Sequence, residues 1–186
     1  MFSIFSIILI FASCASDSAE TGQASTATTE SGFEVREGVQ PPENKTQVLT
    51  LHLEDQTVKP GETVCVNVQV RDFRNIMSMQ YTTRWDPAVL RFTKVQGFSL
   101  KDLSATNFGT TRAGEGQIAI SWFDQDLKSI TLPDDNTIYQ ICFEAIGTSG
   151  SSSALQFTGD PVVIEISNLA GEIIGFSSRK ARINIQ

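Results

Sequence analysis

The chain has 186 residues, 9% of them aromatic and 19% charged. That is enough length and apolar content for one domain with a real core, and it excludes a wholly disordered chain. The net charge of −7 argues against a nucleic-acid partner, which needs Lys and Arg to displace counterions, and against electrostatic docking on anionic lipid.

Residues 1–13, MFSIFSIILIFAS, are almost wholly apolar. The run is shorter than the roughly 20 residues a membrane-spanning helix needs, and it fits the apolar region of a secretory signal. Phe11-Ala12-Ser13-Cys14 resembles a bacterial lipobox, in which small residues precede a Cys that becomes the lipidated N-terminus. The resemblance makes residues 1–13 a lipoprotein signal peptide and Cys14 the lipidation site. The chain is then expected to be exported and lipid-anchored to the outer membrane or cell surface of a bacterium. Residues 15–32 hold no apolar side chain larger than Ala, and their charges are all acidic. Such a segment buries too little to offset its ordering entropy. Residues 14–46 therefore read as a disordered acidic, Ser/Thr-rich tether, kept extended near its end by Pro41-Pro42. Within it Asp17-Ser18-Ala19 resembles a bacterial O-glycosylation acceptor, and Asn44-Lys45-Thr46 fits the N-x-T sequon.

From Gln47 onward the pattern is strands and turns. Strands are expected near 48–54, 62–71, 77–85, 89–95, 105–109, 117–123, 137–146, 153–159, 162–167 and 180–185, with one helical turn within 98–104. The stretch MSMQYTTRW is the clearest. Met77, Met79, Tyr81 and Trp85 share one parity, and Ser78, Gln80, Thr82 and Arg84 the other. One face lies in a core and one in water. Asp86-Pro87 breaks this strand, since proline cannot donate to the ladder, and Val89, Leu90 and Phe92 start the next. Further on, Ile118, Ile120 and Trp122 point inward while Gln117, Ala119, Ser121 and Phe123 point outward. Many short strands at this spacing mean an all-β sandwich or barrel.

The cysteines add a constraint. With Cys14 lipidated, Cys65 and Cys142 remain as an even pair in an exported, oxidising setting. Val64, Val66, Val68 and Val70 take the inward parity of their strand, and Tyr139, Ile141, Phe143 and Ala145 that of theirs. Cys65 and Cys142 therefore both face outward, and a disulfide between them is expected if the two strands are neighbours. By loop length such a bridge contributes about 4 kcal/mol.

Residues 47–186 resemble a cohesin domain. The resemblance is carried, in order, by Pro60-Gly61-Glu62-Thr63-Val64, Asp72-Phe73 and the Trp85-Asp86-Pro87 corner with Val89, Leu90 and Phe92. Gly116-Gln117-Ile118-Ala119-Ile120-Ser121-Trp122 with Asp124, and Thr137-Ile138 leading to Ile141-Cys142-Phe143, complete it. It is nearest to the cohesin-like domains of Bacteroidota surface proteins. The resemblance implies a nine-stranded β-sandwich of jelly-roll topology, related to cellulose-binding modules, in which the strands of Cys65 and Cys142 are neighbours. It also implies that the outer face of the sheet holding the third and sixth strands docks a protein partner, a dockerin. Transferred here, the partner-binding residues are Ser78, Gln80, Thr82, Arg84, Ser121 and Phe123, with Phe123 as apolar anchor. Ser78 and Gln80 stand where a typical cellulosomal cohesin has Asn and Asp, so the chemistry of recognition differs.

No catalytic constellation accompanies this face. His52 is the sole histidine, no Cys/His cluster has zinc spacing, and no nucleophile elbow or phosphate-binding loop occurs. Asp124, Asp126, Asp134 and Asp135 are candidate calcium ligands without EF-hand spacing. The expectation is a non-catalytic, monomeric binding module with no metal or other cofactor, and no catalytic domain after the last strand. It is expected to take a dockerin-like protein, with a place in polysaccharide catabolism implied by the family association. Two alternatives stand beside it. One is a carbohydrate-binding module, which would need a row of exposed aromatics such as Phe98, Phe108 and Phe123. The other is a structural envelope lipoprotein without a specific ligand.

Overall fold

The computed structural model describes residues 41–186. The signal peptide, Cys14, Asp17-Ser18-Ala19 and most of the tether lie outside the described residues. Twelve strands are found among the described residues. In chain order they are β1 (Glu43–His52), β2 (Gln56–Val58), β3 (Thr63–Arg71), β4 (Ile76–Arg84), β5 (Leu90–Gln96) and β6 (Phe108–Gly109). Then come β7 (Gln117–Phe123), β8 (Asn136–Ala145), β9 (Ser152–Thr158), β10 (Glu165–Asn168), β11 (Ile173–Arg179) and β12 (Ala181–Ile185).

They form a β-sandwich. One layer runs β11-β1-β3-β8-β5; the other runs β2-β12-β9-β4-β7-β6. Two strands share one edge of β4, with β9 against Thr82–Arg84 and β10 against Ile76–Gln80. β10 also pairs with β11 and so links the two layers. Two pairings, β1 with β11 and β2 with β12, are parallel, and the rest are antiparallel.

Between the layers lies one core, built from the inward parities of the strands. It includes Val66, Val68 and Val70 of β3, Met79 and Tyr81 of β4, Ile118, Ile120 and Trp122 of β7, and Tyr139, Ile141 and Phe143 of β8. The Tyr81 and Tyr139 hydroxyls hydrogen-bond each other at 3.0 Å. Their complete burial pushes both well above the ordinary tyrosine pKa.

The Trp85-Asp86-Pro87 corner shows why its residue types matter. Trp85 packs edge-on against Phe143 with centroids 5.0 Å apart, and its indole N–H donates to the Leu90 carbonyl at 3.0 Å. The Asp86 carboxylate accepts the Ala88 amide at 2.9 Å, which closes the turn around Pro87. Gly116, at φ +78°, accepts the Trp85 amide from the other side at 2.9 Å. A Cβ on Gly116 would stand 2.4 Å from the Trp85 oxygen.

Cys65 and Cys142 are directly opposed in the β3–β8 ladder, Cα atoms 4.0 Å apart, and are joined as a disulfide. Cys142 is nonetheless fully buried, because β5 flanks β8 and Lys94 stands opposite it.

Several local expectations are corrected. Residues 98–104 hold a turn, and the 3₁₀ turn falls at Ala105–Asn107, which shortens the fifth predicted strand to Phe108–Gly109. The strand expected at 162–167 is Glu165–Asn168, after a loop over 159–164. β11 was not predicted, and Gly175 at its centre explains the omission. A Cβ there would meet Val48 Cγ2 at 2.9 Å, so the glycine permits close strand approach where it reads as a breaker. The first strand begins at Glu43, four residues before Gln47, with a bulge between Asn44 and Val48. The Asn44 side-chain oxygen accepts the Thr46 and Gln47 amides inside that bulge, and its amide donates to Glu172 at 2.8 Å.

Candidate functional site

The antiparallel register of β4 and β7 sets the outer face. Ser78 lies opposite Phe123, Gln80 opposite Ser121, Thr82 opposite Ala119, and Arg84 opposite Gln117. β10 extends two of these rows, with Ser167 beside Ser78 and Glu165 beside Gln80. The predicted residues are therefore brought onto one face of one sheet. They do not share one environment, because the two ends of the face differ.

At the open end, Phe123 is 56% exposed, the one large aromatic among the described residues that is so accessible. Ser121 is exposed, Gln80 and Ser78 are half-buried, and the Ser78 and Ser167 hydroxyls hydrogen-bond at 2.7 Å. The segment after Phe123 is drawn away from the face. The Asp124 amide donates to the Met77 carbonyl at 2.9 Å, Ile130 pairs with Ile76, and Leu132 N–H donates to the Phe73 carbonyl. The loop 124–136 thus packs on the start of β4 and leaves the Phe123 ring uncovered.

At the other end, Thr82 is fully buried. This corrects its placement among surface partner-binding residues. The loop 159–164 crosses above it, and the Val162 amide donates to the Thr82 hydroxyl at 3.2 Å. Arg84 is half-buried and bound to Asp160, with Nη2 to Oδ2 at 2.7 Å and Nε to the carbonyl at 3.2 Å. Gln117 is only 3% exposed. Sequence parity puts these side chains on the right face. It carries no signal that a loop from β9 to β10 will wall that end, and Glu165, Ser167 and Asp160 were missed for the same reason.

The acidic residues after Phe123 are held in ion pairs and backbone hydrogen bonds. Lys101 Nζ bridges Asp126 at 2.7 Å, Asp124 at 3.1 Å and Asp102 at 3.3 Å. Asp124 is buried rather than solvated. Burial opposes its ionisation, yet the Lys128 amide and the Lys101 ammonium outweigh that cost and hold its carboxyl below the usual range. Lys101 is raised in turn by its hydrogen bonds to Asp126 and Asp124. Asp135 lies elsewhere, bound to Arg71 Nε at 2.7 Å and lowered chiefly by that bond, while Asp134 accepts the Asp72 amide at 2.9 Å. Three of the four carboxylates are thus held by two cations, Asp124 and Asp126 by Lys101 and Asp135 by Arg71, while Asp134 caps a backbone amide; no group of three potential metal ligands gathers among the described residues. His52 is on the outer side of β1 as predicted by alternation, but it is 9% exposed rather than open, with Nε2 3.3 Å from Asp135.

The remaining aromatic candidates are buried. Trp85, Trp122 and Tyr139 belong to the core, and Phe108 is 8% exposed and stacks edge-on against Tyr139. Phe98 is partly buried against Phe108. No line of accessible aromatics runs across this sheet.

Residues 49–171 match the cohesin domain family. The chain belongs to that family. Among solved structures it is similar to the seventh ScaB type I cohesin from Pseudobacteroides cellulosolvens, at 16% identity and a TM-score of 0.62 over 74% of this chain and 92% of that one. It is also similar to a non-cellulosomal cohesin from Archaeoglobus fulgidus, at 20% identity and a TM-score of 0.58 over 74% and 91%. A third is a type I cohesin–dockerin complex from Clostridium thermocellum, at 12% identity and a TM-score of 0.63 over 75% and 99%. No curated protein matches the chain. At these identities the solved structures speak for the fold, and the cohesin fold is the one derived above.

Proposed function

We propose that this cohesin is a non-catalytic docking module that takes a dockerin-type protein on the outer face of the β4–β7 sheet. The observation that carries the reading is Phe123, an accessible aromatic at the end of β7, opposite Ser78 and next to the Gln80–Ser121 row, and held clear of its own loop. A rigid apolar anchor surrounded by adaptable polar groups is the usual composition of an interface hot spot. The solved relative from Clostridium thermocellum is a cohesin–dockerin complex, which supports a partner of that class. The lipobox at Cys14 and the acidic tether support display of the domain from a bacterial membrane, with a role in polysaccharide catabolism resting on family association alone.

Direct carbohydrate binding is the weaker reading. Gripping a flat polysaccharide needs several sugar rings stacked on a row of aromatic faces, and among the described residues Phe123 is the one aromatic so exposed.

The test presents the immobilised chain to the secreted and envelope proteins of its source organism, with insoluble cellulose in parallel. The expected result is capture of a protein carrying a duplicated calcium loop, released by chelator and lost in the Phe123→Ala, Arg84→Ala double variant. Retention on cellulose without such capture would overturn the docking reading.

A further inference from the structure

Where β1 enters the sandwich, two adjoining hollows of about 450 Å³ and about 290 Å³ share Gln47 as a common wall. The larger is lined also by Asn44, Thr46, Val48, Asp72 and Arg74, and the smaller by Asn75, Asn168 and Leu169 among others. The frame of this groove is fixed, because its amides are already paired. Gln47 Nε2 donates to the Arg74 carbonyl at 2.6 Å, and its Oε1 accepts from Asn168 at 3.3 Å. Asn44 and Asn168 each donate to the Glu172 carboxylate at 2.8 Å.

The groups left to bind come from the turn between β3 and β4. Phe73 is fully buried, with its ring centroid 6.3 Å from that of Trp122, and pins the turn to the core. The Asp72 amide donates to Asp134 Oδ1 and the Asn75 amide to Thr131 Oγ1, both at 2.9 Å. Asp72 and Asn75 hold φ of +56° and +51°, which Asp and Asn tolerate better than other side chains. On this fixed turn Arg74 Nη2 lies 3.0 Å from Asp72 Oδ1, and the two side chains are 71% and 54% exposed. A guanidinium and a carboxylate each have several hydrogen-bonding sites, so that one contact leaves most of them open to the groove. Asn75 accepts the Thr131 hydroxyl at 3.4 Å through Oδ1 and keeps its NH2 for a further acceptor.

The chemistry of these groups selects the occupant. Asp72 repels an anion drawn to Arg74, and Arg74 repels a cation drawn to Asp72, so a simple ion gains little. Val48 is the one apolar side chain lining the larger hollow, so an apolar ligand gains little there either. A hydroxyl both donates and accepts, and two vicinal hydroxyls match a carboxylate and a guanidinium set side by side. Val48 and Leu169, 39% and 52% exposed, offer apolar contact to the C–H bonds of a sugar ring. We infer that this groove is a second binding site, for a neutral oligosaccharide with one sugar in each hollow, its hydroxyls received by Asp72, Arg74 and Asn75. Such a site grips by hydrogen bonds at a turn and needs no row of aromatics. It does not rest on the docking reading, since it uses none of the β4–β7 face.

The test is a titration of the ¹⁵N-labelled chain with cellotriose and with mannotriose. The reporters are the backbone amides of Asp72, Arg74 and Asn75 and the side-chain amide of Gln47. At least one trisaccharide is expected to shift all four and to leave the Ser121 and Phe123 amides unmoved. Asp72→Gly removes the carboxylate and suits the positive φ. It and Arg74→Ala are each expected to weaken binding about tenfold, the worth of a hydrogen bond to a charged group, with the urea midpoint nearly unchanged. Phe123→Ala is expected to bind the sugar as the wild type does. No shift with either sugar, an equal response to glycerol at matched hydroxyl concentration, or wild-type binding in both turn variants would overturn the inference. So would a stronger response to trigalacturonate, which would make the groove an anion site. Shifts confined to Ser121 and Phe123 would place the sugar on the sheet face, and the groove would fall.

Discussion

Gly116 and Gly109 lie seven residues apart in the same region, and the structure assigns them opposite sensitivity to one methyl group. Gly116 sits at φ +78°, and a Cβ there would come within 2.4 Å of the Trp85 oxygen and 2.7 Å of Pro87 Cδ. The left-handed backbone costs an L-residue about 1–2 kcal/mol, and overpacking against backbone adds about 1–3 kcal/mol, so Gly116→Ala should lose about 2–5 kcal/mol. Gly109→Ala meets one methyl at van der Waals distance, and should be neutral or stabilising by up to about 1 kcal/mol through the unfolded chain. Equilibrium urea unfolding followed by tryptophan fluorescence reads both, since Trp85 and Trp122 are the two tryptophans and both are buried. The midpoint should fall for Gly116→Ala with an unchanged denaturant slope. A loss below about 1 kcal/mol for Gly116→Ala, or equal losses for the two variants, would refute the account of the Trp85-Asp86-Pro87 corner.

Three further outcomes are expected. Replacing Cys65 and Cys142 together by Ala should lower stability by about 4 kcal/mol, the chain-entropy value for a bridge between residues 77 apart; an unchanged urea midpoint would show that the β3–β8 ladder alone constrains the chain. Phe123→Ala should cost under about 1 kcal/mol because the ring is 56% exposed, whereas Phe143→Ala in the core should cost about 3–5 kcal/mol; comparable losses would place Phe123 in the core. Asp124 and Asp135 are held below the usual carboxylate range, so the stability they contribute is present above the unfolded-state pKa. It is lost as pH falls through their lower folded values, below about pH 4. Urea midpoints measured down through that range should drop, and Asp124→Asn should flatten the drop; an equally steep decline in that variant would remove Asp124 from the acid response.

The parts of this protein that were legible in sequence are those governed by strand alternation. Tyr81 and Trp122 were placed in the core, and Ser78 and Phe123 on the opposite face, because a period of two leaves a strand no other choice. The same parity put Cys65 and Cys142 on one side, and family resemblance supplied the strand adjacency that lets them pair. What escaped depended on contacts distant in sequence. Thr82 has the alternation of a surface residue, yet Val162, 80 residues later, covers it. Asp124 looks like a solvated loop carboxylate until Lys101 and the Lys128 amide enclose it. β11 was hidden because Gly175 serves close packing against Val48, a use of glycine that composition cannot distinguish from a turn.

The most direct test of the central claim is the affinity of the chain for the protein it captures, measured by calorimetry for wild type and for Phe123→Ala. A hot spot at this position predicts a loss of at least about 2 kcal/mol, roughly 30-fold in Kd, with the variant's urea midpoint nearly unchanged. An affinity unaltered by Phe123→Ala would place the partner elsewhere on the molecule and contradict docking on the β4–β7 face.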